Sequence, residues 1–266
     1  MLCAFLLVSL AYGEEPQFVK PEEAGQKFEK PETHVSAELG GVWVTGNADY
    51  YNLNGKLSGS HRGGRNKVTL ETGVNMGRGL LDMDADGRLS DLERDAERVE
   101  ISRKYWGELR YDRFVGEHAS LYALGGALVD RFAGYDLRTH EQIGYSRLFV
   151  ETKETIFKGE LGADVAQENY VEGVDPNQDT IWAGRAMIAL AHQFNETLSL
   201  TEQVEVYENI LALDDVRLLN QIALSARLSN AFSVKLSNAL TFDNVPVEGY
   251  RKLDQTTLIS LVATLL

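Results

Sequence analysis

Apolar and polar residues alternate with a period of two through most of the chain after residue 34. Within the segment 231–243, Phe232 and Val234 would share one face of a strand. Ser233 and Lys235 alternate with these two residues along the chain and would share the opposite face. Successive side chains of a β-strand point to opposite faces, whereas a helix needs apolar residues three and four positions apart. The alternation therefore predicts strands and argues against helices.

About twelve segments carry this alternation, and each is close to the length that a tilted strand needs to cross a bilayer. None of the five prolines falls inside a predicted strand, as expected where every backbone N–H must enter a hydrogen-bonded ladder. The predicted strands are 35–45, 50–61, 67–77, 98–112, 119–130, 139–150, 156–168, 180–193, 197–208, 217–228, 231–243 and 255–266.

Two architectures produce such an alternation. A soluble barrel or sandwich would have its apolar face inward, and a membrane barrel would have it toward lipid. Three features favour the membrane barrel. The predicted polar faces carry charges of both signs, aromatic residues gather towards strand ends, and connections are tight after even-numbered strands and often longer after odd-numbered ones. The charged residues on the polar faces include Glu38, Lys56, Glu71, Lys104, Glu108, Lys158, Asp164, Arg185, Arg227 and Lys235.

Three charged residues argue the other way, because Arg103, Arg147 and Glu202 fall on the apolar face. On balance we predict an all-β fold, an antiparallel transmembrane β-barrel of about 12 strands over residues 35–266, with short periplasmic turns and longer extracellular loops. A soluble, secreted or periplasmic calcium-binding β-protein remains the alternative.

The first thirteen residues have the features of a secretory signal peptide. The apolar run Leu2–Ala11 leads into the small-x-small sequence Ala11-Tyr12-Gly13, which is typical of a signal peptidase site. We therefore predict a signal peptide over 1–13. Three prolines among charged residues predict a flexible periplasmic tail over 14–34. Cys3 is the only cysteine, so a mature chain without this leader would have no disulfide, thiolate nucleophile or cysteine–zinc site.

The chain carries a formal net charge of −14, from 40 acidic and 26 basic side chains. This excess argues against a nucleic-acid partner, which would need clustered Lys and Arg, and it would bias an open pore towards cations. The sequence contains no P-loop, GxSxG or HExxH motif, so we predict a barrel with a structural or passive-permeation role and not an enzyme. An outer-membrane lipid hydrolase that uses His140 or His192 with a serine is a less favoured alternative.

Five segments are similar to those of a known family. They are Thr45-Gly46-Asn47, Arg110–Phe114, Asp130–Arg138, Gly144-Tyr145 and Gly159–Tyr170. In these segments the chain resembles the family of salt-induced outer membrane proteins (domain of unknown function 481), over about 35–266. The resemblance implies a location in the outer membrane of a Gram-negative cell, contact with outer-membrane lipid, and the barrel assembly machinery as a partner during biogenesis. It implies no molecular activity, and we expect a monomer. The final residue, Leu266, departs from the aromatic residue that ends many such barrels.

The connection between the third and fourth predicted strands contains an EF-hand-like loop at 82–93. Its sequence, DMDADGRLSDLE, fits the pattern D-x-D-x-D-G-x-hydrophobic-x-x-x-E at every position. Alternate carboxylates would converge on one Ca²⁺ ion, and Gly87 would permit the turn between them. No helix is predicted before the loop, so a solvated acidic loop without a bound ion remains the alternative. For a single extracellular module we expect weak binding, of order 10⁻⁴ M or above. The candidate ligands are Asp82, Asp84, Asp86, Arg88 through its carbonyl, Ser90 through a water, and Glu93.

Overall fold

Twelve β-strands contain most of the residues that the computed structural model describes, which are 31–46, 48–82, 89–172, 180–246 and 250–265. One short helix, α1 (Asp91–Arg94), and one turn of 3-10 helix (Arg131–Ala133) lie between strands. The strands are β1 (Glu32–Val44), β2 (Tyr50–Gly63), β3 (Asn66–Gly79), β4 (Val99–Phe114), β5 (Ala119–Asp130), β6 (Tyr135–Glu151), β7 (Thr155–Tyr170), β8 (Thr180–Gln193), β9 (Leu198–Asn209), β10 (Val216–Arg227), β11 (Phe232–Asp243) and β12 (Leu253–Thr264).

No helix in the described part of the chain is long and apolar enough to cross a membrane.

The strands form one closed antiparallel barrel. Each strand pairs with its neighbours in sequence, and β1 also pairs with β12, with Glu38 opposite Val262 and Gly40 opposite Ser260. Because β1 and β12 pair through residues 36–40 and 260–264, every strand has a hydrogen-bonded neighbour on both sides. Such closure is the condition for crossing hydrocarbon. The predicted twelve-stranded antiparallel barrel is therefore confirmed.

The apolar faces of the strands point outward, and this orientation decides between the two architectures. Leu161 on β7 is 68% exposed, whereas Glu160, one position earlier, is 3% exposed and points into the barrel. The same inversion is repeated at Ile143 and Gln142 on β6. A soluble barrel would bury its leucines and expose its glutamates, so the apolar outer surface is that of a transmembrane barrel.

The connections differ between the two ends of the barrel, as the sequence predicts. At the end that carries Glu32 and Thr264, every connection is short. These are 64–65, 115–118, 152–154, 194–197 and 228–231. At the other end several are longer. These are 45–49, 80–98, 131–134, 171–179, 210–215 and 244–252.

Two strands, β1 and β6, begin three or more residues earlier than predicted. β1 begins at Glu32 rather than at 35, because β2 is long enough to offer Glu32 a partner at Arg62. The predicted tail is shortened by the same three residues, and residues 1–30, with the predicted signal peptide, lie outside the described residues. β6 begins at Tyr135 rather than at 139, because Gly134, with φ of +90°, reverses the chain and lets Tyr135 pair with Tyr170.

The three charged residues that the sequence places on the apolar face have different surroundings in the structure. Arg103 lies near the start of β4 and forms an ion pair with Glu100, with Nη1 and Oε2 3.1 Å apart. Arg147 lies opposite Ala119, the first residue of β5, and is therefore close to one end of the barrel. Glu202 lies within β9 opposite Ile222, and faces outward. Among these three residues, Glu202 is the one that conflicts with the rule that charges avoid the lipid-facing surface. Glu141 on β6 also faces outward, opposite Gly125 and Val165.

Candidate functional site in the barrel lumen

The two sides of the lumen are filled to different degrees. On the side formed by β4–β9, which we call the filled side, most inward-facing side chains are buried. They include Lys104, Glu108, Arg110, Asp112, His140, Gln142, Glu160, Asp164, Arg185, Gln203 and Glu205. On the side formed by β10–β12, β1 and β2, which we call the open side, many inward-facing residues are small, polar and only half-buried. They include Ser36, Asn54, Ser58, Ser60, Ser225, Ser237 and Thr241.

Glu160 is the centre of the filled side. Its two carboxylate oxygens each accept from a different guanidinium, from Arg110 Nη2 at 2.8 Å and from Arg185 Nη1 at 2.8 Å. Lys158, two positions earlier on the same face of β7, lies 3.2 Å from the same carboxylate. Because β4, β7 and β8 each contribute a charged group to this cluster, it connects opposite parts of the filled side.

The two arginines also bind further carboxylates, so each cation has more than one counter-charge. Arg110 binds Asp112, with Nε and Oδ2 2.9 Å apart, and Arg185 binds Glu205, with Nε and Oε2 2.8 Å apart. Tyr122 lies between them. Its hydroxyl is 2.8 Å from Arg185 Nη1, and its ring centroid is 4.2 Å from the Arg110 guanidinium carbon. Buried charges that are paired in this way stabilise a lumen filled with polar groups.

Two glycines make room for this arrangement. Gly144 and Gly162 lie opposite each other on β6 and β7, and Gly144 also lies opposite Tyr122 on β5. A Cβ atom at either glycine would lie 2.6 Å from the Tyr122 hydroxyl oxygen. The absence of side chains at these two positions therefore allows Tyr122 to reach across the lumen towards Arg185.

His140 is part of the same filled side. Its Nε2 lies 3.3 Å from Glu108 and its Nδ1 lies 3.4 Å from Asp164, and the side chain is buried. The second histidine of the hydrolase alternative, His192, lies at the end of the barrel with the short turns, where its Nδ1 is 2.9 Å from the hydroxyl of Thr155. These contacts place His140 among carboxylates and His192 beside a threonine hydroxyl, whereas the hydrolase alternative requires a histidine beside a serine.

The filled side continues towards the end of the barrel with the longer loops. There Glu168 on β7 forms ion pairs with two arginines. Its Oε1 lies 3.2 Å from Arg138 Nε and 2.6 Å from Arg217 Nη1. Arg217 also lies 3.3 Å from Asp243 on β11. This second ionic cluster joins β6 and β7 to β10 and β11, and the lumen is therefore polar along its length.

Four charged residues that alternate in sign lie along the open side and on the adjoining strand β3. Lys56 lies 3.0 Å from Glu71 on the neighbouring strand, and Glu71 also accepts from the hydroxyl of Ser58 at 2.8 Å. Glu38 lies opposite Lys56 in the β1–β2 ladder and forms an ion pair with Lys235 of β11. We call the sequence Lys235, Glu38, Lys56 and Glu71 the charge ladder. It follows the wall rather than crossing the lumen.

The EF-hand-like loop is only partly described. Asp84, Asp86 and Arg88 lie outside the described residues. Leu89 is buried, and α1 begins directly after Ser90, whose backbone N–H donates to Glu93 Oε2 at 2.8 Å. Ser90 and Glu93 thus form a capping box at the start of α1. The described residues contain no group of three His, Cys, Asp or Glu side chains arranged for a metal ion, so calcium binding stays a prediction.

Sequence reasoning placed charges of both signs in the lumen but did not identify the central cluster. The alternation within 156–168 puts Glu160 on the polar face with Lys158 and Asp164, but it does not single out Arg110, Glu205 or Tyr122. One local signal was available: Arg110 and Asp112 are opposite in sign and two positions apart, and so are Lys158 and Glu160. Such pairs share a strand face, but their partners on other strands depend on the closed barrel.

A scan against protein-family models finds one match, to the family described as "Protein of unknown function, DUF481", over residues 37–265. The chain belongs to the DUF481 family. The family resemblance noted in the sequence is therefore confirmed. No curated protein gives a significant match to this DUF481 chain.

Solved structures that are similar to this barrel include a porin and the translocator domain of an autotransporter. The DUF481 barrel is similar to the NanC porin, with 11% identity, 87% of this chain and 100% of that chain covered, and a TM-score of 0.51. It also matches the translocator domain of the autotransporter NalP from Neisseria meningitidis, with 13% identity, 89% and 88% coverage, and a TM-score of 0.45. At these identities the likeness to NanC shows a shared fold and nothing finer.

Proposed function

We propose that this protein is an integral outer-membrane β-barrel that allows passive permeation of small solutes along the open side of its lumen. The observation that carries the proposal is the unequal filling of the barrel. Ionic clusters occupy the side formed by β4–β9, whereas Ser58, Ser225 and Ser237 on the other side remain partly accessible. A lumen filled on all sides would favour a closed scaffold.

The outer membrane is the location that fits this barrel best. Outward-facing apolar residues such as Leu161 and Ile259, 68% and 67% exposed, need a hydrocarbon environment. In barrels with an even number of strands, both termini and the short turns lie in the periplasm. We therefore assign the end with Glu32 and Thr264 to the periplasm and the end with the longer loops to the cell exterior. The role is non-enzymatic in this proposal.

Planar-bilayer recording of the purified, refolded protein tests permeation directly. Discrete conductance steps in KCl would support an open passage, and the absence of steps together with the absence of solute uptake by liposomes would leave a closed structural barrel. A blot of fractionated cells tests the location, because full recovery in the soluble fraction would contradict a membrane barrel.

A bulky residue on the open side should block the passage. Ser237 faces the lumen on β11 and is half-buried, so Ser237→Trp should reduce conductance by about two-fold or more, as expected when a large indole enters a narrow pore. Leu236→Trp is the matched control, because Leu236 is the adjacent residue, faces outward and is 46% exposed. Equal conductance of the two variants would contradict a passage along the open side.

We also propose that the loop at 82–93 binds Ca²⁺ weakly on the outer side of the barrel. The described part of the loop supports this, because Leu89 is buried and Ser90 and Glu93 begin α1 at the positions where the exiting helix of an EF-hand begins. Isothermal titration of the whole protein with CaCl₂ tests this second proposal. Absence of heat in the parent protein at millimolar Ca²⁺ would contradict it.

A further inference from the structure

The charge ladder on the open side has a formal net charge of zero. Lys235 and Lys56 contribute two positive charges, and Glu38 and Glu71 contribute two negative charges. Each charge lies next to one of opposite sign, through the Lys235–Glu38 pair, the opposed positions of Glu38 and Lys56, and the 3.0 Å Lys56–Glu71 pair. The field of such an alternating set falls off faster with distance than that of a ring of like charges.

This neutral ladder contrasts with the composition of the whole chain. The chain has a net charge of −14, which by itself predicts a preference for cations. An ion that passes along the ladder would lose part of its hydration without meeting a net opposite charge. The ladder therefore offsets the cost of this dehydration no more for cations than for anions. The overall charge of the protein is therefore a poor guide to the selectivity of this passage.

Around the ladder, the wall of the open side is rich in hydroxyl and amide groups. Ser36 and Ser58 lie opposite each other on β1 and β2, and Ser260 lies opposite Lys235 on β12. Asn54 is two positions from Lys56 on the same face of β2. Groups of this kind both donate and accept hydrogen bonds, and they can replace the hydration of an uncharged polyhydroxylated solute without a net charge.

We propose, on the basis of the permeation role proposed above, that the passage admits small uncharged hydroxylated solutes and discriminates little between small cations and anions, because the charge ladder is balanced. Lys235 is the residue that maintains this balance with Glu38. Its loss leaves the ladder with an excess of one negative charge and converts the passage into a cation-selective one.

The test combines two measurements on the full protein in lipid. Reversal potentials in a KCl gradient give the ratio of K⁺ to Cl⁻ permeability, and swelling of proteoliposomes in glycerol or arabinose gives the uptake of uncharged solutes. We expect a permeability ratio close to one in the parent protein, with swelling in both solutes. Lys235→Ser should raise the ratio by at least about five-fold, the effect of one unit charge at about 4 Å in water.

Two further variants control the result. Lys235→Ser combined with Glu38→Ser restores a neutral ladder and should return the ratio to the parent value. Lys158→Ser removes the same charge from the lumen on the filled side, where Lys158 contacts Glu160, and should leave the ratio unchanged. Heat-dependent migration on gels shows whether each variant forms the barrel. If Lys235→Ser does not fold, Glu38→Ser alone keeps the test decisive, because it leaves the ladder with one excess positive charge and should lower the ratio of K⁺ to Cl⁻ permeability.

The outcomes separate this inference from the proposed function. A conducting parent that is already strongly cation-selective, or a ratio that does not respond to Lys235→Ser, would overturn the inference and leave permeation intact. A conducting parent that admits ions but neither glycerol nor arabinose would also overturn it. Absence of both conductance and swelling would overturn the permeation role itself, and the inference with it.

Discussion

Replacing Glu160 with glutamine removes one negative charge from the centre of the filled side. The carboxylate accepts from Arg110 and Arg185 at 2.8 Å each and lies 3.2 Å from Lys158. All of these groups are buried, so water cannot solvate the arginine and lysine charges that lose their carboxylate partner. We expect Glu160→Gln to lower the free energy of unfolding of the barrel.

The size of this loss in unfolding free energy depends on how many carboxylate partners Arg110 and Arg185 retain. Removing one partner of a buried ion pair costs about 3–5 kcal/mol when the remaining charge has no other partner. Arg110 still has Asp112 and Arg185 still has Glu205, and the glutamine side chain keeps one acceptor oxygen. The expected loss is therefore below that range, at about 2–3 kcal/mol.

Urea unfolding of the protein in lipid vesicles measures this loss, with the folded fraction read from the migration of unheated samples on gels. Glu202→Gln is the matched control, because Glu202 undergoes the same chemical change but faces outward between Leu190 and Ile222. Removal of a lipid-facing carboxylate should leave stability unchanged or raise it slightly. A loss for Glu160→Gln that is within about 0.5 kcal/mol of the control would refute the view that this cluster holds the filled side together.

Three further outcomes follow from the structure. Gly162→Ala should lower the free energy of unfolding by about 1–3 kcal/mol, because its Cβ would lie 2.6 Å from a tyrosine hydroxyl in the lumen, and Gly184→Ala, with open space around its Cβ, should have no effect in the same urea assay. Ca²⁺ should protect the loop at 82–93 from protease while leaving the barrel unchanged, and equal protection after joint Asp82→Ala and Glu93→Ala substitution would remove the site from consideration. Protease added to intact cells should cut this loop, and cleavage only after permeabilisation would show that the assigned orientation is inverted.

Much of the fold could be predicted from the sequence because the side-chain period of a strand is a local property. The predicted segments 119–130 and 180–193 coincide with β5 and β8. The predicted strand ends were less accurate where a strand end depends on a residue of the neighbouring strand. Tyr135, for example, belongs to β6 because Tyr170 of β7 is available to pair with it. The EF-hand-like loop was also read from local spacing, and the buried Leu89 and the capping box at Ser90 agree with that spacing without testing for the ion.

The sequence by itself therefore determined the number of strands, their approximate positions and the separation of polar from apolar faces. It did not determine which face is inside, because a period of two is the same for a soluble and a membrane barrel, and only the closed structure shows Glu160 buried and Leu161 exposed. It also did not determine the partners in the lumen. Arg110 meets Glu160 across the barrel from a strand that is not its ladder neighbour, and contacts of this kind exist only after closure and strand register have brought distant inward faces together.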